Sequence, residues 1–173
     1  EIDGKRQKRD LRDQPALARF TGAALQGLRY DRPYRTGPFD ERESPDDAPQ
    51  PPPSDEDGWL VVTADYVTSG DGTGLVHTAP AFGADDYATG RKFGLPLFKT
   101  VEADGKIAAR QGLERFAGMW FKDADREITR DLKERQLLLH ADRYKHSYPF
   151  CWRCDTPLLQ FASKSWFVRT TAI

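Results

Sequence analysis

The sequence is poor in cysteine, in long apolar runs and in excess charge of either sign. Two cysteines in 173 residues, spaced C-x-x-C, are too few for a disulfide framework, so a reducing, cytoplasmic setting is expected. No apolar run approaches the roughly 20 residues of a membrane span, and no secretion-like segment opens the chain. Lysine and arginine (26) nearly balance aspartate and glutamate (27). That balance removes bulk charge as an argument for nucleic-acid binding, although a partner that contacts one face stays open.

The two ends of the chain indicate a piece of a longer protein. The chain begins at Glu1, has Met119 as its single methionine and stops in the strand-like run SWFVRTTAI without a closing turn. Its 10 Phe, 6 Tyr and 4 Trp are sufficient for a packed core. We therefore expect a folded domain that belongs to a larger polypeptide.

Residues 37–58 differ in composition from the rest of the chain. They are rich in proline and acidic residues and have little apolar surface after Phe39, which predicts a solvated, partly polyproline loop. A surface insertion is favoured over a proline-rich ligand for a partner. Upstream, the loose spacing of Leu17, Phe20, Leu25 and Leu28 predicts a short amphipathic element within residues 14–30.

The remaining patterns mix strands and helices. Residues 59–67 and 75–80 predict two strands that pair like a hairpin across a glycine turn. Residues 84–93 predict a helix, ended by Gly94 and Pro96, and a second helix is expected from Asp123 to about Leu138. Because the order has no regular βαβ alternation, we predict an α+β or mixed α/β fold with a β-rich centre.

Three polar residues draw attention around the run GTGLVHTAPAFGADDY (72–87). Asp85 and Asp86 fall in the first turn of the predicted helix, where its dipole favours carboxylates, and helix-end electrostatics is the plainer explanation. The alternative is that one carboxylate binds a substrate ammonium group. His77 is by itself a structural histidine more often than a catalyst, but the rigid Pro80–Gly83 turn after it predicts a cleft shared with Phe82 and an aspartate.

Cys151 and Cys154 form half of a tetrahedral thiolate site. His146 lies nearby, but no second ligand pair occurs in the sequence. A thioredoxin-like redox motif is disfavoured because strand-like residues follow. A partial zinc site completed by another segment is the favoured explanation, with two inert cysteines as the alternative.

These motifs together resemble one family. GTGLVHTAPAFGADDY followed by KFGLPLFKTVEADGK is similar to the editing-domain motif of the class I isoleucyl-tRNA synthetases, which have relatives in the valyl and leucyl enzymes. HSYPFCWRCDTPLL followed by SWFVR resembles the segment by which that inserted domain returns to the synthetase core, and GLRYDRPY resembles an upstream motif. The resemblance covers about residues 20–173 and is weakest in the proline-rich insertion. It implies a β-rich partial editing domain over 1–145, with the insertion at 37–58, and a return segment with a half zinc knuckle over 146–173.

The resemblance also implies roles. The parent enzyme attaches isoleucine to its tRNA with ATP and magnesium, and the editing site hydrolyses valine wrongly esterified to that tRNA. Asp86 corresponds to the aspartate that holds the α-ammonium of the misplaced amino acid, and His77 to the histidine that helps exclude isoleucine. Asp85 is expected to serve the helix end only. The wall of the side-chain pocket corresponds to Thr78, Ala79, Pro80, Ala81 and Phe82.

Departures from the family pattern limit what we expect of this chain. The H-I-G-H and K-M-S-K-S signatures, the threonine-rich strand of the editing pocket and a second C-x-x-C are not found in it. We therefore expect no tRNA charging, little or no editing by the chain alone, and a half zinc site. Expected partners are isoleucine tRNA and the rest of the synthetase, with neither membrane nor DNA. The alternatives are a valyl-tRNA synthetase editing domain, a non-catalytic tRNA- or zinc-binding module, and a truncated piece without an independent role.

Overall fold

A computed structural model describes residues 15–42, 50–54, 56–68, 70, 73–143 and 145–172. Within these residues it contains two α-helices and two short strands: β1 (Glu41–Arg42), α1 (Ala84–Phe93), β2 (Pro96–Leu97) and α2 (Phe121–Glu134). Single 3-10 turns occur at Gly22–Leu25 and Thr170–Ala172. The mixed α/β class is thus confirmed. Residues 1–14, which include the charged run EIDGKRQKRDLRD at 1–13, lie outside the described residues.

Helix α1 has the bounds that the sequence predicts. Its N-cap is Gly83 in an extended conformation, and Asp85 and Asp86 lie in its first turn. Gly94 ends it in the left-handed region (φ 63°), where the Leu95 N–H donates to the carbonyl of Gly90 at 2.8 Å. A glycine is suited to that position because a side chain with a Cβ is strained there.

Helix α2 begins two residues before, and ends four residues before, the predicted bounds. The carbonyl of Trp120 accepts hydrogen bonds from the N–H groups of Asp123 (2.9 Å) and Ala124 (3.0 Å), so the first turn forms ahead of Asp123. At the other end, Gln136 adopts a left-handed conformation (φ 59°) that a helix cannot continue. Ala124 is fully buried, and Ile128 and Leu132, at four-residue spacing on the same face, are half-buried.

Regular sheet among the described residues is limited to β1 and β2. They pair antiparallel, Glu41 opposite Leu97 and Arg42 opposite Pro96. The predicted hairpin of 59–67 with 75–80 is not formed by the described residues: the 59–61 backbone pairs instead with 27–30, through an Arg29–Leu60 bridge and the Val61 N–H donating to the Leu28 carbonyl (2.8 Å). The β-rich centre therefore stays a prediction.

Six of the seven buried apolar residues in the described part of the chain lie between Leu97 of β2 and Ala124 of α2. Successive turns fold residues 97–121 into a layer in which the Val101–Ile107 and Lys106–Trp120 bridges hold neighbouring segments together. Phe116, at 2% exposure, is the largest fully buried side chain, and its ring meets that of Tyr34 edge to face (5.6 Å between centroids). The other buried apolar residues in the described ranges are Ala81, Leu97, Val101, Ala108, Leu113 and Ala124.

Asp131 ties α2 to the segment before the proline-rich loop. This carboxylate is 6% exposed and accepts hydrogen bonds from the Tyr34 hydroxyl (2.8 Å), Arg135 Nη1 (3.2 Å) and Arg115. The hydrogen bond from Tyr34, followed by the two arginines, lowers the pKa of Asp131. Burial and the same hydrogen bond raise the pKa of Tyr34 to about 12.

Two other predictions concern the first half of the chain. The amphipathic element predicted within residues 14–30 is wrong: only a 3-10 turn forms among residues 15–30, and Leu17 and Phe20 are 100% and 65% exposed. The 37–58 insertion is exposed at most described positions, but Phe39 packs against Trp59 and Phe98, and the insertion contributes β1. Residues 43–49 and 55 of the insertion lie outside the described part. Neither helix in the described ranges has the length and apolarity needed to cross a bilayer.

Candidate functional site

A largely apolar groove of about 1010 Å³ runs across one face of the fold. Its walls come from residues 58–64, from residues 74–80 with Phe82, and from residues around β2, with Tyr30 and Tyr34 at one side. A volume of this size exceeds what a single amino-acid side chain needs and falls in the range of ligand clefts. The groove is therefore the leading candidate for a ligand-binding site among the described residues.

The predicted loop lines this groove. His77, Thr78, Ala79, Pro80 and Phe82 all contribute to its wall, and His77 is exposed. A tight turn shapes the loop, because the Phe82 N–H donates to the carbonyl of Ala79 at 2.8 Å. Ala81 is buried (2% exposed) and does not line the groove. The structure thus brings His77 together with four of the five predicted wall residues and buries the fifth, Ala81.

Helix α1 supports the loop from behind. A methyl group placed on Gly90 would lie 2.8 Å from Cβ of Pro80, so the helix backbone and the proline ring are in close contact. The Tyr66 and Thr89 hydroxyls share a hydrogen bond of 3.3 Å that joins the helix to the 59–67 segment. Since Pro80 and Tyr66 both line the groove, α1 fixes two of its walls.

Asp86 and Asp85 differ in their surroundings. Asp85 is exposed, whereas Asp86 is half-buried and turns back over the helix start: a methyl group on Gly83 would lie 2.7 Å from Asp86 Oδ2. Asp86 is not part of the groove lining, so the structure places this carboxylate beside the loop at the helix N-terminus. Negatively charged side chains are commonly found at this end of a helix because they interact favourably with its dipole.

Two buried polar groups at the groove were not predicted from the sequence. Thr36 is 5% exposed, and its Oγ1 and the indole Nε1 of Trp59 are buried without a hydrogen-bond partner among the described residues. Both residues line the groove, and the Arg32 guanidinium links them, donating to the Thr36 carbonyl (2.6 Å) and lying 5.5 Å from the Trp59 ring. Trp59 has a left-handed backbone (φ 57°), which is unusual for a bulky residue. No local pattern in the sequence signals either feature.

The two thiols lie in one turn. The Cys151 N–H donates to the carbonyl of Thr156, and the Asp155 N–H donates to the carbonyl of Cys151, both at 2.8 Å. The Thr156 hydroxyl, 3.0 Å from Cys154 Sγ, lowers the pKa of that thiol, with a further contribution from Cys151. Across the described ranges, no three His, Cys, Asp or Glu side chains are grouped to hold a metal. The two thiols supply two of the four donors that a tetrahedral zinc site needs, so the half zinc site stays a prediction.

Comparison with known proteins identifies relatives along nearly the whole chain. An isoleucine–tRNA ligase from Thermus thermophilus is 47% identical over 157 residues, which cover 91% of this chain and 13% of that protein. The corresponding protein of Clostridium novyi is 49% identical over 154 residues (89% and 13%), and that of Dehalococcoides mccartyi is 43% identical over 169 residues (94% and 16%). No family model matches the chain.

The extent of these matches defines what is shared. The chain spans 13–16% of the length of these relatives, so the similarity concerns one segment of them. It includes the motif around His77 and the C-x-x-C pair, because the matches cover about nine tenths of the chain. Over that length, the chain corresponds to one segment of the isoleucine–tRNA ligases.

Proposed function

We propose that this chain carries the editing site of an isoleucine–tRNA ligase and takes part in hydrolysis of valine wrongly esterified to isoleucine tRNA. The observation that carries the proposal is the loop from His77 to Phe82, which lines the groove directly before the helix that bears Asp86. The similarity to isoleucine–tRNA ligases over the same residues gives that loop its context. The β-rich editing architecture and the division into 1–145 and 146–173 belong to the proposal.

The chemistry needs a second selection step. Valine is one methylene smaller than isoleucine, and an apolar pocket discriminates such a difference by only about 1–3 kcal/mol. A separate site that admits valine and excludes isoleucine removes the error after transfer. In this assignment His77 and the loop 78–82 limit the size of the side chain, and the Asp86 carboxylate binds the α-ammonium group.

The hydrolytic step uses few protein groups. A water oxygen adds to the ester carbonyl carbon, the bond from that carbon to the ribose oxygen breaks, and the ribose oxygen takes up the proton released by the water. The terminal ribose of the tRNA assists the attack, as the resemblance implies. The chain's own residues then hold the valyl group in place, and none of them has to act as a general base.

The rest of the ligase is the proposed structural partner. Large apolar side chains near the end of the chain are exposed, among them Trp166 (100%), Phe167 (89%) and Trp152 (86%). Exposed apolar surface of this kind is typical of an interface. We assign residues 146–173 to the return towards the synthetase core, and expect the chain to edit only when joined to it.

Further properties of the parent enzyme complete the proposal. The whole ligase would charge isoleucine tRNA with ATP and magnesium in the cytoplasm. Cys151 and Cys154 would hold a structural zinc ion with two donors from outside this chain, as the half site suggests. A zinc ion there would fix the turn at residues 151–154, and it has no part in the hydrolytic step.

The test is release of valine from valylated isoleucine tRNA by the chain joined to the rest of the ligase. Correctly isoleucylated tRNA serves as the competing substrate. We expect release of valine but not of isoleucine, and a roughly 10- to 150-fold loss in Asp86→Ala, because a charged hydrogen bond contributes about 1.5–3 kcal/mol.

Asp85→Ala is the matched control, since it removes the neighbouring exposed carboxylate from the same helix turn. It should retain nearly full activity. Absence of valine release, or equal effects of the two substitutions, would contradict the assignment of Asp86. Absence of valine release by the wild type with tRNA still bound would favour a non-catalytic binding module.

A further inference from the structure

Three consecutive residues, 160–162, hold the loop that lines the groove. The Ala162 N–H donates to the carbonyl of Ala81 at 2.9 Å. The next contact is aromatic, since the Phe161 ring meets the Phe82 ring at an interplanar angle of 64° with centroids 6.0 Å apart. Gln160 Oε1 accepts a hydrogen bond from the Ala84 N–H at 3.2 Å. We call residues 160–162 the latch.

Gln160 supplies a cap that the local sequence does not provide. The first N–H groups of a helix have no partner within the helix, and a side chain at the N-cap position usually accepts from one of them. In α1 that position is Gly83, which has no side chain. Gln160, 76 positions from Ala84 along the chain, accepts from the first residue of the helix instead.

The latch acts on both parts of the candidate site. Ala81 lies between Pro80 and Phe82, which line the groove, so its carbonyl contact with the latch restrains both neighbours. The Ala84 N–H belongs to the same helix start as Asp86. The contacts of the latch therefore fix the groove wall at residues 80–82 and the first turn of α1, which carries the Asp86 carboxylate.

We propose that Gln160 and Phe161 are positioning residues of the editing site, which set the loop 80–82 and the start of α1 without contacting the substrate. This inference rests on the proposed function. It also gives residues 146–173 a second role, because the segment assigned to the return towards the synthetase core would reach the editing loop through the latch.

The kinetic test compares Gln160→Ala with Gln160→Glu in the ligase that contains the full chain. We expect Gln160→Ala to lower kcat for valine release with little change in KM for the valylated tRNA. Phe161→Leu should lower the ratio of valine to isoleucine release, since Phe82 loses its aromatic neighbour. Gln160→Glu keeps an oxygen acceptor for the Ala84 N–H and should restore most of kcat. Gln111→Ala and Phe20→Leu, at exposed positions outside the latch, are the matched controls.

A second measurement does not depend on activity. Amide hydrogen exchange of Ala84, followed by NMR in the full chain, should become about 2- to 10-fold faster in Gln160→Ala, the factor expected for loss of one neutral hydrogen bond. It should be unchanged in Gln111→Ala. Unchanged exchange at Ala84, or faster exchange with unaltered kcat in an active ligase, overturns the positioning role. Absence of valine release in the wild-type ligase refutes the proposed function instead, and exchange alone then decides whether the latch exists.

Discussion

Gly112 marks the closest approach between two segments that frame the fold, and replacing it by alanine is the sharpest structural test. Its backbone is in the left-handed region (φ 80°). A methyl group there would overlap the carbonyl oxygen of Arg35 and lie 3.1 Å from the backbone nitrogen of Thr36. The neighbouring residue Gln111 bridges to Gly37, so the two backbones cannot separate without breaking their pairing.

The magnitude follows from two separate costs. An alanine in the left-handed region is strained by about 1–2 kcal/mol. The contact with Arg35 adds the cost of forcing an extra group into a filled space, typically about 1–3 kcal/mol, and rotation of a side chain cannot relieve it because the facing atoms are backbone. The expected destabilisation of Gly112→Ala is therefore about 2–5 kcal/mol, the sum of these ranges.

Gly118→Ala is the matched control. Gly118 has nearly the same conformation (φ 78°), but nothing lies within 4 Å of a methyl group built on it. Backbone strain alone should therefore destabilise Gly118→Ala, by about 1–2 kcal/mol. Both variants gain the same reduction in unfolded-state freedom, which cancels in the comparison.

Urea unfolding of the two variants and the wild type, followed by circular dichroism, measures these differences directly. A thermal scan should agree, with a fall in Tm of about 2–4 °C per kcal/mol for a chain of this length. Equal losses in Gly112→Ala and Gly118→Ala would show that the 35–36 and 111–112 backbones are not in contact. The pairing of these segments would then be refuted.

Three further predictions follow. Phe116→Ala should lower the free energy of unfolding by about 3–5 kcal/mol, because it empties the largest buried position, and urea unfolding measures it. The pKa of Tyr34 is raised from 10.0 to about 12, so its stabilising contribution is complete below pH 10 and lost as the pH rises towards 12. The pKa of Asp131 is lowered from 3.8, so its contribution to the free energy of unfolding is lost as the pH falls below that value. Melting curves of the wild type and of Tyr34→Phe across the pH range test the loss at high pH and the loss at low pH. Gly83→Ala should displace the Asp86 carboxylate at constant charge, and valine release should fall with only a small change in Tm.

The helices were predictable because their signals are local. Gly83, the two aspartates and Gly94 lie within twelve positions, and each acts on its own stretch of backbone. The bounds of α2 were less accurate, because its start depends on the carbonyl of Trp120 and its end on the left-handed Gln136. Neither residue type is typical of a helix terminus, so composition alone does not reveal them.

Strand pairing was not predictable in the same way. Residues 59–67 have the composition of a strand, but a strand needs a partner whose identity its own sequence does not contain. The partner of residues 59–61 is the 27–30 segment, and β2 pairs with β1 inside the insertion that looked unstructured. The contact of Gln160 with Ala84 is more distant still, and a glutamine in an extended segment carries no sign of a capping role.

The spacing of nine between His77 and Asp86 has a structural reason in α1. The loop after His77 has to reverse direction, which the turn from Ala79 to Phe82 achieves, and Gly83 then starts the helix. Because Gly90 of the helix packs on Pro80, the same helix that carries the carboxylate also supports the groove wall. A shorter connection would not leave room for both the turn and the first helical turn, and a longer one would separate the carboxylate from the wall it adjoins. The carboxylate and the groove wall are therefore joined through α1, as the proposed editing site requires.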